Sequence, residues 1–365
     1  LPPYSCQCSS GEMIKDFNAL RSVPDLRSPN QDVPIETTPR LIKGPAYGEA
    51  AKGAAESGSA DDWPAYRHDG SRGGASRATV ASEMVPLWQA KVGSVPSAPI
   101  IADGRVFVAD TDAHAVLAFD AGNGRMLWDH VAGGRIDTPP TWHRGLLLFG
   151  CRDGWVYCLR ASDGVLVWRF KDLPDRLIGA FGRLESAWPV HGSILVQGEI
   201  AYFAAGRSSF LDGGITLYGL DPTTGEVKQR RRVYGPFDEQ NGFPNTSGKG
   251  FKADVPVGDG KLIYLRHKAF EADLADAAAP GVHLITSAGF TDSRPQHRTY
   301  WTIGAAFAGS NAIPSPSGDI LVSDGENYFE VRGFPVVRHS YFDPRLKGYK
   351  LVAGTVGAAV KQPAR

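Results

Sequence analysis

The sequence predicts an all-β chain, a β-propeller of four-stranded blades preceded by an extended N-terminal segment, and three observations predict it. Trp88, Trp128 and Trp168 stand 40 residues apart, a period that fits one propeller blade per repeat. In register with them, residues 97–101, Asp103-Gly104 and 106–108 lie over 138–142, Arg144-Gly145 and 146–149, so each unit holds a strand, a tight turn and another strand. The second half of each unit carries a longer motif. Ala118-x-Asp120-x-x-x-Gly124-x-x-x-Trp128 recurs as Cys158-x-Arg160-x-x-x-Gly164-x-x-x-Trp168, and a degraded third copy runs from Gly219 through Asp221 and Gly225 to Gln229.

Each motif position has a local reason. The glycine supplies the positive φ of a hairpin turn, the aspartate accepts backbone N–H bonds inside it, and the tryptophan covers a large area between neighbouring blades.

The motif resembles the tryptophan-docking repeat of the pyrroloquinoline-quinone (PQQ) dehydrogenase-like propellers, a superfamily that includes the barrel-assembly lipoprotein of the bacterial outer membrane. Asp62-Trp63-Pro-Ala-Tyr66-Arg-His-Asp69 followed by Arg72-Gly-Gly is similar to the segment that leads into such propellers. The runs 149–159, 185–192, 204–214 and 297–301 resemble segments of large secreted PQQ-like proteins of planctomycete-type bacteria. The resemblance covers roughly residues 60 to 335.

Organisation follows from the same reading. Residues 1–60 are expected to be the tail of an upstream element and an extended linker, since 22–60 are rich in Pro, Ser, Asp, Gly and Ala and lack a sustained period; 50–60 have the composition of a short helical turn. Residues 61–335 carry the blades, and 336–365 form a partial blade or extension. After Trp168 the period lapses. Insertions enter at 171–184 and at 229–253, the second containing Arg230, Arg231 and Arg232, which are expected to be solvated. Strand signals return at 255–257 with 262–265, at 283–286, and at 319–322 with 328–331.

These signals amount to about five or six blades, whereas the resemblance implies a ring of about seven or eight. An open ring exposes strand edges and apolar faces. The expectation is that another protein chain, or a precursor fragment, completes the propeller.

Composition fits an extracytoplasmic β protein. There are 43 Gly and 26 Pro in 365 residues, and 39 basic residues balance 39 acidic ones. Zero net charge gives no argument for nucleic acid, and no apolar run is long enough for a transmembrane segment. The first residue is Leu1, which is read here as a processed piece with any export signal upstream, hence a periplasmic or secreted protein.

The chemistry is less legible. Four cysteines occur. Cys6 and Cys8 suit neither haem attachment nor zinc, and the resemblance of 2–8 to a closing propeller segment implies a disulfide from one of them to a cysteine outside residues 1–365; Cys151 and Cys158 are expected as buried thiols. Hydrolase elbows, zincin motifs, Walker loops and dinucleotide fingerprints are absent from the sequence.

Catalytic members of the resembled family hold PQQ with Ca²⁺, using a vicinal Cys-Cys disulfide, a stacking Trp, cationic side chains and an acidic metal set. This sequence has no Cys-Cys pair. Glu185, Trp188, His191, Arg207 and Asp212 are the candidates for a polar central funnel that binds such a cofactor, with His297 and Arg298 beside Trp301 as a second cluster. The plain alternatives are a core Trp188, a hydrogen-bonding His191, and Arg207 paired with Asp212. Two functions remain: a noncatalytic scaffold or binding propeller in a multi-chain extracytoplasmic assembly, or a quinoprotein dehydrogenase or carbohydrate-active enzyme whose site is completed by residues outside this chain.

Overall fold

The computed structural model describes residues 39–49, 59, 61–93, 95–180, 182–235, 255–286, 301–305, 316–318, 320–334 and 348–357. Their architecture is that of an all-β propeller, with antiparallel sheets in sequence order. Cys6, Cys8, most of 50–60, His297 and Arg298 lie outside the described residues.

The first blade is Ile100–Ala102, Arg105–Asp110, Ala115–Asp120 and Met126–Val131. The second is Thr141–His143, Leu146–Gly150, Val156–Arg160 and Leu166–Lys171, and the third is Leu195–Gln197, Ile200–Ala205, Ile215–Leu220 and Val227–Val233. Three-stranded sheets follow at Pro256–Gly258, Ile263–Leu265 and Lys268–Phe270, then at His283–Thr286, Trp301–Gly304 and Ser317–Gly318. A last sheet joins Leu321–Ser323, Asn327–Phe334 and Gly348–Thr355. The insertion after Lys171 folds as a hairpin of Leu177–Ala180 and Arg183–Ser186.

Adjacent blades bury apolar faces against each other. Phe107, Val116 and Ala118 of the first blade meet Leu147, Phe149 and Leu159 of the second, while Trp168 and Phe170 meet Phe203 and Tyr218 of the third. Inside the second blade Cys151 and Cys158 are buried free thiols.

The repeat motif folds the same way three times. Gly124, Gly164 and Gly225 have φ of 73°, 73° and 72°, and each N–H closes the turn on the carbonyl four residues back. Asp120 and Asp221 accept two backbone N–H groups each inside their turns. The indoles of Trp88, Trp128 and Trp168 lie over Gly124, Gly164 and Gly225, where an added Cβ would come within 2.5, 2.5 and 2.8 Å of them. Each indole N–H is donated to that turn, to Ala121, Ala161 and Pro222 carbonyls at 2.8, 3.1 and 3.0 Å. A register shift in the pairing falls at the same motif position in all three blades.

One stretch departs from the expected linker. Arg40–Lys43 pairs antiparallel with Leu166–Lys171 as a fifth strand of the second blade. The physical reason is the row of backbone groups that an outermost strand leaves unpaired. Arg40 also reaches Asp175 at 2.5 Å and lies 5.3 Å from the Trp155 ring.

Candidate functional site

The loops at one end of the first three blades converge on a ladder of alternating charges. Asp112 belongs to the turn between two strands of the first blade, Arg135 and Asp137 to the crossover into the second, Arg152 to a turn of the second, Glu185 to the inserted hairpin, and Arg207 to the turn after Ile200–Ala205. Backbone bonds knit these loops: Arg152 N–H to the Arg135 carbonyl at 2.9 Å, and Ser186 N–H to the Arg152 carbonyl at 2.8 Å.

Arg152 donates to Asp137 and, at 2.7 Å, to Glu185, and both carboxylates are buried with it. Arg207 donates to the other Glu185 oxygen. Arg135 stands 3.6 Å from Asp137 and 3.9 Å from Asp112, and Arg183 stands 3.6 Å from Asp112. Both oxygens of Glu185 are therefore engaged by guanidinium groups. Burial works against the charge on Arg152, but Asp137 and Glu185 outweigh it and its pKa is raised. At Arg207 burial dominates and the pKa is lowered despite Glu185.

The remaining candidates sit beside this ladder. Trp188 is buried in the core shared with Trp168 and Val190, and its Nε1 donates to the Asp212 carbonyl at 2.8 Å. Asp212 takes a positive φ of 51° and pairs with Arg176 at 2.7 Å. The expected Arg207–Asp212 pair is replaced by Arg207–Glu185 and Arg176–Asp212, because the inserted hairpin carries Glu185 between them. His191 is buried. Sequence reasoning missed Asp112, Arg135, Asp137, Arg152 and Arg183, which only the blade loops bring together.

A second centre lies where the innermost strands meet. Residues 63–74 run across them: Trp63 pairs with Ile101, the Trp142 N–H reaches the Pro64 carbonyl at 2.8 Å, Gly258 N–H the Gly70 carbonyl at 2.8 Å, and Ser323 N–H the Gly73 carbonyl at 2.9 Å. Arg72 is 0% exposed. Its guanidinium donates to the carbonyls of Tyr66, Ile194 and Pro256 at 2.9, 3.1 and 3.1 Å and to Ser193 Oγ at 3.2 Å. Burial lowers its pKa to about 10, leaving it cationic at neutral pH. Arg67 donates to the Arg72 carbonyl at 2.6 Å and to the Leu321 carbonyl, and its guanidinium lies 4.4 Å from the Trp301 ring. This segment thus ties sheets from the first blade to the last, a role its side chains do not announce.

The five funnel residues do not fit a quinone held with a metal. Trp188 has no open face to stack on a ring, and Glu185 is consumed by two arginines. Among the described residues no group of three His, Cys, Asp or Glu side chains is arranged to hold a metal ion.

Comparison with known proteins places the repeats. Residues 73–171 match the family described as outer membrane protein assembly factor BamB. These repeats are PQQ-like propeller repeats. A curated relative, outer membrane protein assembly factor BamB of Nitrosomonas eutropha, is 26% identical over 151 residues, 41% of this chain and 32% of that protein. The chain thus spans about a third of the curated relative's length. Among solved structures, quinohemoprotein alcohol dehydrogenase from Comamonas testosteroni is similar over 62% of this chain and 41% of its own, at 17% identity and TM-score 0.45. BamB from Moraxella catarrhalis is similar over 63% and 67%, at 16% identity and TM-score 0.32. Among the described residues no helix is long and apolar enough to cross a membrane.

Proposed function

We propose that this PQQ-like propeller is a noncatalytic scaffold or binding module in an extracytoplasmic assembly. The observation that carries the reading is the engagement of Glu185 by Arg152 and Arg207. The best-placed acid of the funnel candidates is spent on tying the inserted hairpin to the second and third blades, which is a structural task. Buried ion pairs of this kind fix geometry, since breaking one strands a charge in a poorly solvated place. The likeness of residues 73–171 to an outer membrane assembly factor supports a protein-binding role outside the cytoplasm. On the blade count, another protein chain or a precursor fragment would complete the ring.

The test is spectroscopic. The intact protein, titrated with PQQ with and without Ca²⁺, is expected to give no bound-quinone band and no dye-linked oxidation of alcohols or sugars. A stoichiometric quinone band with oxidation would instead assign the quinoprotein reading, with its site completed from outside this chain.

A further inference from the structure

The outer edge of the second blade carries a segment that it contacts through more than the backbone ladder. Arg40–Lys43 pairs with that edge, and the contact continues beyond the strand: the Gly44 N–H donates to the Val167 carbonyl at 2.8 Å and the Ala46 N–H to the Leu166 carbonyl at 3.1 Å. Through backbone bonds alone an outermost strand accepts many extended segments. Here the side chains select one.

Five positions of the segment are fixed by what they touch. Arg40 enters as a planar fork on Asp175, Nη1 donating to one carboxylate oxygen at 2.5 Å and Nη2 to the other at 2.9 Å, with its guanidinium 5.3 Å from the Trp155 ring. Leu41 packs on the core that contains Trp168, its Cδ1 lying 2.7 Å from where a Cβ on Gly225 would stand. Gly44 admits no side chain, since a Cβ there would lie 2.1 Å from the Leu166 carbonyl oxygen, a backbone atom that cannot swing aside. Ala46 is 1% exposed in the same core, and Tyr47 donates its hydroxyl to the Thr224 carbonyl at 3.3 Å. Ile42, Lys43 and Pro45, by contrast, are exposed.

These features belong to one blade. Met126–Val131 and Val227–Val233 also end their sheets, and among the described residues no strand lies outside them. Forty positions before Trp155 and Asp175 the chain has Ala115 and Arg135, which offer an incoming arginine neither an aromatic face nor a carboxylate. The docked indoles show the consequence. Trp88 and Trp128 are half-buried, whereas Trp168, with Leu41 packed on its cluster, is 0% exposed.

We infer that the outer edge of the second blade is a peptide-recognition site for an extended segment of the pattern Arg-Leu-x-x-Gly-x-Ala-Tyr, one that binds this sequence as a ligand in its own right and is filled in this chain by residues 40–47. The arginine fork sets one end, the glycine and alanine set the register, and the tyrosine reaches the turn of the third blade. The segment thereby moors whatever precedes Arg40 to the outside of the propeller. The inference is independent of the scaffold reading, which the quinone titration tests separately.

The test supplies the segment in trans. In the full chain carrying Leu41→Asp and Gly44→Val the resident segment cannot seat, and a fluorescently labelled synthetic peptide of residues 38–49 is expected to bind at a single site per chain. The unmodified chain, whose edge is filled at the high effective concentration of a tethered ligand, is expected to bind the peptide at least about 100-fold more weakly. The peptide with Arg40→Lys should bind about 10-fold more weakly than the parent peptide, because an ammonium cannot form the fork, and a Gly44→Val or scrambled peptide at least about 100-fold more weakly. Hydrogen exchange is the second measurement. Asp175→Ala in the otherwise unmodified chain should speed exchange at Gly44 and Ala46 by about 10-fold or more while Val156–Arg160 stays protected. Absence of peptide binding in a double variant that keeps Val156–Arg160 protected, equal binding of the scrambled peptide, or unchanged exchange at Gly44 and Ala46 in Asp175→Ala would each overturn the inference. Should the double variant fail to fold, the Asp175→Ala exchange decides alone.

Discussion

The indole of Trp168 rests on Gly225 and donates to the Pro222 carbonyl, although Gln229 stands where the third motif would carry its own tryptophan. Donor and receiver are separate parts of the repeat. The turn of the third copy is kept because the second blade needs it, and its missing tryptophan affects only the blade that follows. This explains why a motif that looks degraded in the sequence folds with the same φ, the same turn closure and the same register shift as the intact copies.

Truncating the donor should be expensive. Trp168 is fully buried, and Trp168→Ala is expected to lower unfolding free energy by roughly 3–5 kcal/mol, as for large aromatic truncations in cores. Gly225→Ala should also destabilise, because the φ of 72° and the indole 2.8 Å from an added Cβ both oppose a side chain. Denaturant unfolding reads both. Losses within about 0.5 kcal/mol, the surface-site range, would refute the docking geometry.

The fold was legible because its determinants are local and repeated. Trp128, Gly164 and their equivalents announce turn, strand and interblade contact within a dozen residues. The ladder of Asp137, Arg152, Glu185 and Arg207 was not, since its members come from four separate loops and no spacing in the chain reports that they meet. Arg72 was visible only as part of a family-like segment, because its partners are backbone carbonyls, which any sequence supplies. Strand Arg40–Lys43 was hidden by its small size and by a partner strand more than a hundred residues away.

The ladder makes its own prediction. Glu185→Gln keeps the volume but removes the charge that Arg152 and Arg207 share, and should cost roughly 3 kcal/mol, as for breaking a buried pair. Trp188→Phe removes only the hydrogen bond to Asp212 and should cost about 1 kcal/mol beyond its packing change. A Glu185→Gln variant of unchanged stability would free Glu185 for a functional task and count against the scaffold reading.

Stability should fall on mild acidification. His114, His130, His143 and His283 all have pKa values lowered from the usual 6.5, in each case chiefly by burial. The sign follows: below about pH 6.5 the unfolded chain takes up protons that the folded chain refuses, so folding free energy is lost as pH drops through that value toward the folded ones. Asp163, Asp259 and Asp276, lowered from 3.8, add their losses only in more acidic solution. The denaturant midpoint at pH 5.5 is therefore expected below that at pH 7.5, with a shallower slope in His283→Gln. A midpoint that rises on acidification would show these histidines to be charged in the fold.

Arg72 carries the most demanding prediction. A fully buried guanidinium held by three carbonyls and a hydroxyl acts as a cationic hub, and its planar fork reaches acceptors on two blades at once. Removing it takes a donor from the carbonyls of Tyr66, Ile194 and Pro256, of which Ile194 still accepts from Thr141 Oγ1 at 2.8 Å, so Arg72→Met should cost on the order of 3 kcal/mol even though it fills much of the space. Arg72→Lys should rescue little, because a single ammonium on a thinner stem cannot span Tyr66, Ser193, Ile194 and Pro256 together. The loss should be specific to the centre: hydrogen exchange should speed up in Leu195–Gln197 and Pro256–Gly258 before it does in the outer strand Met126–Val131. A Lys variant as stable as the parent would mean that charge alone suffices there. Uniform acceleration across all strands would mean that residues 63–74 do not tie the inner strands together.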